Sequence, residues 1–378
     1  MTAPLGLGVI GCGNISSTYF RLAPLFQDIE MRACADLNAA TAQAQAEAFN
    51  IAAVSVDDLL ARDDIDIVVN LTVPAAHRAV CEAALEAGKH VYSEKPFVLS
   101  RNDGDAILQK AGAAGLRVGS APDTFLGASH QQARKLIDDG AIGRVTSGTA
   151  VIMGPGMEHW HPNPDFFFQP GAGPVLDMGP YYISNLVQLL GPVAAVQAVT
   201  STPRASRTIG SGDRVGEDVA VHTPTTIHAL LEFRSGAVIT LLASWDVWSH
   251  NHSHLELYGE GGTLTLPDPN FFGGDLTLTQ HRDAISLPPW DHPFAALNDD
   301  SRANYRTIGI ADMARAILDD RPHRCSGAFA HHVVDVMTSI LKAGETGRRI
   351  DISTTCDRPD PLNGAEARAL MVTAQQEA

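Results

Sequence analysis

The sequence lacks the features that mark several other classes of protein. Its 27 Lys and Arg residues face 43 Asp and Glu residues, and no run of basic residues offsets the formal net charge of −16. Binding to nucleic acid needs a clustered positive surface, so we expect no nucleic-acid partner. No apolar run is long enough to cross a membrane, and the first residues lack a basic segment followed by an apolar stretch. We therefore expect a cytoplasmic protein without membrane contact.

The chain is also poor in cysteine and in charged residues. Its five cysteines lie far apart and form no C-x-x-C pair, which argues against a structural zinc site or a redox disulfide. Charged residues make up 19% of the chain, below the roughly 25% of an average globular protein, so excess charge does not prevent folding. Its 378 residues are enough for two domains.

The first part of the chain has a βαβ pattern, because short apolar runs alternate with segments of helical periodicity. This pattern predicts an α/β domain with a doubly wound parallel sheet over residues 1–122. The expected strands are Leu5–Ile10, Met31–Ala35, Ile67–Leu71, His90–Ser93 and Arg117–Gly119. The expected helices are Ile15–Leu22, Ala39–Phe49, Val56–Ala61, Ala75–Ala87 and Asn102–Ala113.

The second part, residues 123–378, changes to long segments of alternating β-branched residues after one helix at Ser129–Asp138. Such alternation predicts an α+β domain with a large open, mainly antiparallel sheet that is covered on one face. The expected strands include Arg144–Met153, Thr225–Phe233, Ala237–Trp245 and Ser253–Tyr258. Alternatively, the C-terminal segment of residues 123–378 packs back on the first domain. The open sheet face predicts a homodimer or homotetramer.

A glycine turn, Gly11-Cys12-Gly13-Asn14-Ile15-Ser16, lies between the first strand and the first helix. Gly11 allows a tight turn, and Gly13 lets a pyrophosphate approach the backbone at the helix start. Asp36 ends the next strand, where an acidic residue binds the ribose hydroxyls of a dinucleotide. Its charge repels the extra phosphate of NADP, and Leu37 supplies no cation, so NAD is the expected cofactor. The alternative for Asp36 is a cap on the helix that starts near Asn38.

Three further motifs carry a resemblance to a known family. They are the segments Asn70–His77, Ala87–Pro96 with its Glu94-Lys95-Pro96 ending, and Gly173–Tyr181. Together they resemble the family of glucose-fructose oxidoreductase, inositol dehydrogenase and MocA over nearly the whole chain. The resemblance implies a Rossmann domain followed by an α/β domain with an open sheet. It also implies NAD or NADP as cofactor and a sugar or cyclitol oxidised at a hydroxyl carbon.

The resemblance also implies roles for individual residues. The matching cofactor-binding positions are Gly11, Gly13, Asn14, Ile15, Asp36, Asn70, Thr72, Pro74, His77, Glu94 and Lys95. The matching catalytic positions are Lys95, Asp177 and Tyr181, although many members have His where this chain has Tyr181. Two versions of the chemistry therefore stay open. Either Lys95 carries the proton and Tyr181 orients the substrate, or Tyr181 is the acid/base and the charge of Lys95 favours its phenolate. Alternatively, Asp177 caps a helix and Tyr181 is a core aromatic.

The segment Glu158–Asp165 is too rich in proline for regular structure and predicts a pocket loop. Trp160 offers a flat apolar face, and His159 and His161 offer hydrogen-bond partners for hydroxyl groups, so these three residues are expected to bind substrate. The two histidines do not complete a ligand set with familiar spacing, so no metal is predicted.

The expected function is an NAD-dependent oxidoreductase acting on a small-molecule carbohydrate or polyol. One alternative is a glycoside hydrolase or lyase that keeps NAD bound and oxidises its substrate transiently. Another is a non-catalytic NAD-binding sensor. Release of NADH separates the first hypothesis from the other two.

Overall fold

The computed structural model describes residues 3–285, 287–288, 290–299 and 301–372. The described residues form two compact units. The first contains segments 1–128, 290–331 and 359–378, and the second contains segments 129–289 and 332–358. The predicted boundary at residue 122 places segments 290–331 and 359–378 in the second domain, whereas they belong to the first unit of the structure.

The strands and helices are numbered here in chain order. The strands are β1 Leu5–Ile10, β2 Ile29–Ala35, β3 Ala52–Ala53, β4 Ile67–Asn70, β5 His90–Ser93, β6 Val118–Ser120, β7 Val145–Met153, β8 Val193–Ser201, β9 Ser206–Thr208, β10 Asp218–Ala220, β11 Thr226–Phe233, β12 Val238–Ser244, β13 Leu255–Gly259, β14 Thr263–Leu266, β15 Thr277–Gln280, β16 Asp283–Ile285 and β17 Ile350–Asp351. The helices are α1 Ser16–Leu22, α2 Ala39–Phe49, α3 Val56–Ala61, α4 His77–Glu86, α5 Arg101–Ala114, α6 Ala128–Asp138, α7 Pro174–Leu190, α8 Ile308–Leu318, α9 Gly327–Thr346 and α10 Gly364–Leu370.

The first unit is built on a six-stranded sheet with the order β3-β2-β1-β4-β5-β6, in which every strand pair is parallel. The predicted Rossmann-type sheet is confirmed. The central strands are uninterrupted apolar runs because helices cover both faces of a parallel sheet. Ile10, the last residue of β1, pairs with Ala35 on one side and Asn70 on the other. The chain order reverses at β1, so the crevice for a ligand lies beyond the carboxyl ends of these strands.

The second unit contains a nine-stranded sheet with the order β16-β15-β14-β13-β7-β12-β11-β8-β17. Only the β7–β12 pair is parallel, so the predicted mainly antiparallel sheet is confirmed. Helix α7 packs against β7, β11 and β12. In β11 and β12, buried and more exposed residues alternate, which leaves the other face open in a single chain.

Two smaller features complete the second unit. A tight turn at Arg234-Ser235-Gly236 joins β11 to β12, and Gly236 has the positive φ of 90° that this turn requires. Strands β9 and β10 form a separate two-stranded sheet.

Among the described residues, no helix is both long and apolar enough to span a membrane.

Candidate dinucleotide and substrate sites

The glycine turn follows β1 in the geometry that a dinucleotide needs. Gly11 has a φ of 101°, and a Cβ added there would lie 2.7 Å from the carbonyl carbon of Leu71. Glycine is therefore required both by the backbone conformation and by the close approach of the β4 loop. A Cβ added at Gly13 would meet no protein atom within 4 Å, so open space lies beside this residue. The turn has room for a pyrophosphate where the family resemblance expects one.

Helix α1 begins directly after this turn, and no side chain caps its N-terminus. Two of the backbone N–H groups at this end are engaged within the turn, because Ser16 N donates to Gly13 O at 3.1 Å and Thr18 N donates to Ile15 O at 3.0 Å. Ser16, which replaces the usual third glycine, is fully buried and its hydroxyl donates to Gly13 O at 2.6 Å. Ser16 thus closes the turn from the inside. Asn14 and Ile15 lie on the turn between Gly13 and this helix.

Asp36 comes one residue after β2, beside the glycine turn. Its Oδ2 accepts the Cys12 N–H at 2.8 Å, and its Oδ1 accepts the Asn38 N–H at 2.8 Å. The cap of α2 is Asn38, whose Oδ1 accepts the Ala40 N–H, so the alternative of Asp36 as the helix cap is wrong. A carboxylate has about four acceptor positions, so capacity remains for two ribose hydroxyls.

Asn70 and His77 lie below the surface and organise the loop after β4. Both residues are fully buried. Asn70 Oδ1 accepts the N–H and the hydroxyl of Thr72, and its Nδ2 donates to His77 O at 3.1 Å. The His77 ring lies between two carbonyl oxygens, with Nδ1 2.8 Å from Pro96 O and Nε2 3.0 Å from Thr72 O. These side chains therefore shape the loop, whereas Thr72 and Pro74 lie nearer its surface.

The Glu94-Lys95-Pro96 turn follows β5 at the same edge of the sheet. Glu94 N donates to Asn70 O at 2.8 Å, which ties the turn to the end of β4. Glu94 Oε2 accepts the Lys95 N–H at 2.7 Å, and Glu94 Oε1 accepts the Tyr19 hydroxyl at 2.8 Å. The Lys95–Pro96 peptide bond is cis. The backbone of Lys95 is thus fixed by contacts to α1, β4 and α4.

Tyr19 is a residue that the sequence reasoning missed. It lies on the buried side of α1, one turn beyond Ser16, and its ring is almost fully buried. Burial, followed by the nearby carboxylate of Glu94, raises the pKa of Tyr19 far above its usual value, so the hydroxyl stays protonated and donates. Nothing in the local sequence indicates its partner.

In the second unit, Asp177 and Tyr181 lie on the first turns of α7. The helix begins at Pro174 after Gly173, so Asp177 is its fourth residue and the alternative of Asp177 as a helix cap is wrong. Residues four apart share one helix face, which makes Asp177 and Tyr181 neighbours. Asp177 is partly exposed, and Tyr181 is 8% exposed.

The predicted pocket loop also lies in the second unit. It contains a short 3-10 turn at Met157–His159 followed by Trp160 and His161. Trp160 is 62% exposed, and its ring centroid lies 5.4 Å from that of His161. His159 packs against a residue distant in sequence, Trp248, at 4.9 Å between ring centroids. The loop thus presents aromatic surface to solvent. Among the described residues, no group of three or more metal-binding side chains is close enough to hold an ion.

A Rossmann domain with this glycine turn, followed by an open-sheet domain, defines a two-domain dinucleotide-dependent oxidoreductase. Residues 5–121 match the model of the "Oxidoreductase family, NAD-binding Rossmann fold", and residues 130–265 match the "GFO/IDH/MocA C-terminal domain". The chain therefore belongs to the GFO/IDH/MocA family of sugar oxidoreductases, and its first domain is an NAD-binding Rossmann domain.

Individual relatives agree with this assignment. The chain is 30% identical over 268 residues to a dTDP-3,4-didehydro-2,6-dideoxy-alpha-D-glucose 3-reductase of Streptomyces violaceoruber, covering 69% of this chain and 72% of the relative. It is 23% identical over 340 residues to a D-xylose dehydrogenase of Paenarthrobacter nicotinovorans, covering 83% and 85% of the two chains. The solved NAD binding oxidoreductase from Klebsiella pneumoniae superposes with a TM-score of 0.81 at 22% identity, covering 93% of this chain and 100% of that one. This last likeness shows the fold.

Proposed function

We propose that this chain transfers a hydride between a hydroxyl-bearing carbon of a sugar, sugar derivative or cyclitol and the nicotinamide of NAD. The observation that carries the proposal is the Glu94-Lys95-Pro96 turn, held by hydrogen bonds at the sheet edge that also carries the glycine turn. When bound, NAD supplies the hydride acceptor. The protein must then bind the alcohol and accept its proton.

Lys95, Asp177 and Tyr181 are proposed to serve this one reaction. The fixed backbone of Lys95 supports it as the proton carrier, because a proton acceptor must be held at a constant position relative to the hydroxyl. The side chains of Asp177 and Tyr181, neighbours on α7, would orient the alcohol. In the alternative, Tyr181 takes the proton and the positive charge of Lys95 favours its phenolate.

NAD is proposed in preference to NADP because of Asp36. Its carboxylate is held by Cys12 N and Asn38 N beside the glycine turn, so an added 2′-phosphate would face a fixed negative charge. The next residue, Leu37, is fully exposed and apolar. Leu37 and the exposed Val73 of the β4 loop offer apolar surface for an adenine ring.

His159, Trp160 and His161 are proposed to contact the substrate, as an apolar face flanked by hydrogen-bonding groups suits a polyol. The relative named as a D-xylose dehydrogenase supports a free neutral sugar, whereas the relative named as a dTDP-3,4-didehydro-2,6-dideoxy-alpha-D-glucose 3-reductase supports a nucleotide-linked sugar.

The test is to mix purified protein with NAD or NADP and a panel of aldoses, polyols, cyclitols and glycosides while recording the absorbance of NADH or NADPH. NADH should form with one substrate class. Lys95→Ala should lower kcat by about 100-fold or more, since general acid/base groups contribute this much. Lys110→Ala removes a surface lysine of α5 and serves as the matched control.

Other outcomes distinguish the alternatives. If Tyr181→Phe abolishes turnover while Lys95→Arg, which keeps the positive charge, retains it, Tyr181 is the proton carrier. Cleavage of a glycoside without net NADH release would replace the dehydrogenase with a hydrolase or lyase. Tight NAD binding without any turnover would replace it with a sensor.

A further inference from the structure

Three exposed aromatic side chains cluster on loops of the second unit. Trp160 is 62% exposed, Phe166 is 56% exposed and Trp248 is 73% exposed. With His159 and His161 they form what we call the aromatic platform. The ring centroids of Trp248 and His159 lie 4.9 Å apart, and the His161 ring lies 5.4 Å from both Trp160 and Phe166. Single exposed hydrophobic residues are common, but a cluster of this kind marks a binding surface.

A buried ion-pair cluster holds the platform in place. The Arg207 side chain is fully buried, and its Nη1 donates to Glu158 Oε1 at 2.8 Å and to Trp245 O at 2.9 Å. Its Nη2 donates to Asp246 Oδ1 at 2.6 Å. Glu158 immediately precedes His159, and Asp246 comes two residues before Trp248. One buried guanidinium therefore fixes both loops that carry the platform. Burying these charges has a large desolvation cost, so the cluster is weak evidence of added stability. Its hydrogen bonds instead hold the two loops in one geometry.

The platform is also continuous with α7. Phe166 stacks on Phe167 at 4.0 Å between ring centroids. Phe167 O accepts the N–H of Gly173, the residue at the start of the helix that carries Asp177. On the other side, Phe167 lies edge-on to Trp245 at 6.0 Å, above a small core of Phe168, Ile209, Val219 and Val221. The exposed rings thus extend outward from the packed base of the proposed substrate-binding residues.

The charges around the platform select against an anionic ligand. The sequence contains no lysine between residues 136 and 341. The arginines of these loops are engaged by carboxylates: Arg207 by Glu158 and Asp246, Arg204 by Asp246, and Arg214 by Asp165 and Glu217. A nucleoside diphosphate carries at least two negative charges that need such cations. A neutral ligand with a flat apolar face fits better.

We propose that the aromatic platform binds the second ring of a neutral glycoside or oligosaccharide, the first ring of which is the one oxidised. This inference rests on the proposed function and narrows its substrate class. A pyranose ring has a face of C–H groups that can lie on an indole, while its equatorial hydroxyls reach sideways to groups such as the imidazoles of His159 and His161. A monosaccharide would leave Trp248 and Phe166 of the platform without contact.

The test compares each monosaccharide with its disaccharide, D-glucose with cellobiose and D-xylose with xylobiose, in the NAD-linked assay. Trp160→Ala and Trp248→Ala should each raise the KM of the disaccharide about 3- to 10-fold, as expected for one aromatic contact. In Trp248→Ala the monosaccharide KM and both kcat values should stay within twofold. Trp160→Phe and Trp248→Phe keep a flat ring and should restore most of the affinity. Leu297→Ala, which removes an exposed apolar side chain of the first unit, is the control.

Several results would overturn the inference. Equal rises of KM for monosaccharide and disaccharide in Trp248→Ala would place Trp248 at the first ring. Calorimetry could also show that dTDP-glucose binds more tightly than cellobiose and that this binding needs both Trp160 and Trp248. That result would assign the platform to a nucleotide. A lower oligomeric mass of the alanine variants by light scattering would assign it to a second copy of the chain.

The inference and the proposed function fail separately. In one case no sugar yields NADH, but calorimetry shows that cellobiose binds to the NAD-loaded protein and that the double variant Trp160→Ala, Trp248→Ala has lost this binding. The platform assignment then stands and the proposed reaction is wrong. If monosaccharides are oxidised and disaccharides bind no better than their single rings, the reaction stands and the platform assignment is wrong.

Discussion

The hydroxyl of Tyr19 on α1 donates to Glu94 Oε1 at 2.8 Å, which joins the helix after the glycine turn to the Glu94-Lys95-Pro96 turn. Removing this donor with Tyr19→Phe leaves a half-buried carboxylate oxygen without its partner, which costs about 1–3 kcal/mol of unfolding free energy. We also expect kcat to fall about tenfold, because Glu94 holds the Lys95 backbone and small displacements of a catalytic group are costly. Urea unfolding and steady-state kinetics measure the two effects.

Tyr305→Phe is the matched control for this substitution. The Tyr305 hydroxyl is also buried in the first unit, and it donates to Pro293 O and Ala296 O. Its loss should lower stability by a similar amount and leave kcat within twofold. If Tyr19→Phe lowers stability but leaves kcat unchanged, Tyr19 supports the fold without positioning the turn.

The two glycines of the dinucleotide turn should respond differently to alanine. Gly11→Ala places a Cβ 2.7 Å from the backbone of Leu71 at a positive φ, so it should destabilise the protein by at least about 1–3 kcal/mol. Gly13→Ala meets no protein atom within 4 Å and should spare stability. The new methyl would instead occupy the space beside the pyrophosphate, and NAD affinity should fall at least tenfold by calorimetry.

Gly112→Ala provides the control for these glycine substitutions. This residue lies inside α5, where an added Cβ meets nothing within 4 Å. Alanine should therefore stabilise the helix by about 1 kcal/mol and leave NAD binding unchanged. Unaltered NAD affinity in Gly13→Ala would contradict the placement of the pyrophosphate.

Much of the first sheet was predictable because local pattern and tertiary role coincide there. Strands buried on both faces are plain apolar runs, and Leu5–Ile10 and His90–Ser93 have the predicted bounds. The short β3 and the strands β9 and β10 carry too few residues to show a period. The site contacts were hidden for another reason. Tyr19 meets Glu94 across 75 residues, and Arg207 meets Glu158 across 49, and only the folded topology brings such pairs together.

The cofactor preference should follow the two residues after β2. In Asp36→Ser with Leu37→Arg, the repelling carboxylate is gone and a guanidinium is available for a 2′-phosphate. The ratio of NADP to NAD affinity, measured by calorimetry, should rise at least about tenfold. Glu47→Arg at an exposed position of α2 changes the net charge by the same two units and controls for it. An unchanged ratio in the double variant would show that Asp36 does not face the ribose.

The open face of the large sheet is proposed to pair with a second copy of the chain. Val199, Leu230 and Val238 are exposed on the neighbouring strands β8, β11 and β12, and Val199 and Leu230 line part of a cleft of about 350 Å³. Light scattering should give the mass of a dimer or tetramer, and Val199→Glu should shift it toward the monomer because a charge would be buried. Val215→Glu changes an exposed valine of another loop and should have no effect. A monomeric wild-type protein would contradict the proposal.

The buried imidazole of His130 should make the protein sensitive to acid. Nε2 lies 2.8 Å from Phe271 O, which can only accept, while Nδ1 lies 3.1 Å from Asn185 Nδ2, which can only donate. A neutral ring with its proton on Nε2 satisfies both contacts, and a second proton on Nδ1 would face a donor. Burial accordingly lowers the pKa of His130 from 6.5 to about 4.

The sign of the pH dependence follows from proton binding. Between pH 6.5 and 4 the unfolded chain binds the His130 proton and the folded chain does not, so acidification favours unfolding. At pH 5 this group alone should cost about 2 kcal/mol of unfolding free energy relative to pH 7. Burial lowers the pKa values of His292 and His323 to about 4 as well, so the wild-type loss should be larger.

His130→Gln isolates one of these three groups, because its amide can donate to Phe271 O without titrating. Urea unfolding at several pH values should show a shallower loss of stability for the variant between pH 6.5 and 4. At the steepest point the slopes should differ by about 1.4 kcal/mol per pH unit, the value for one proton. Parallel stability curves for the variant and the wild type would mean that His130 already carries its second proton in the folded state.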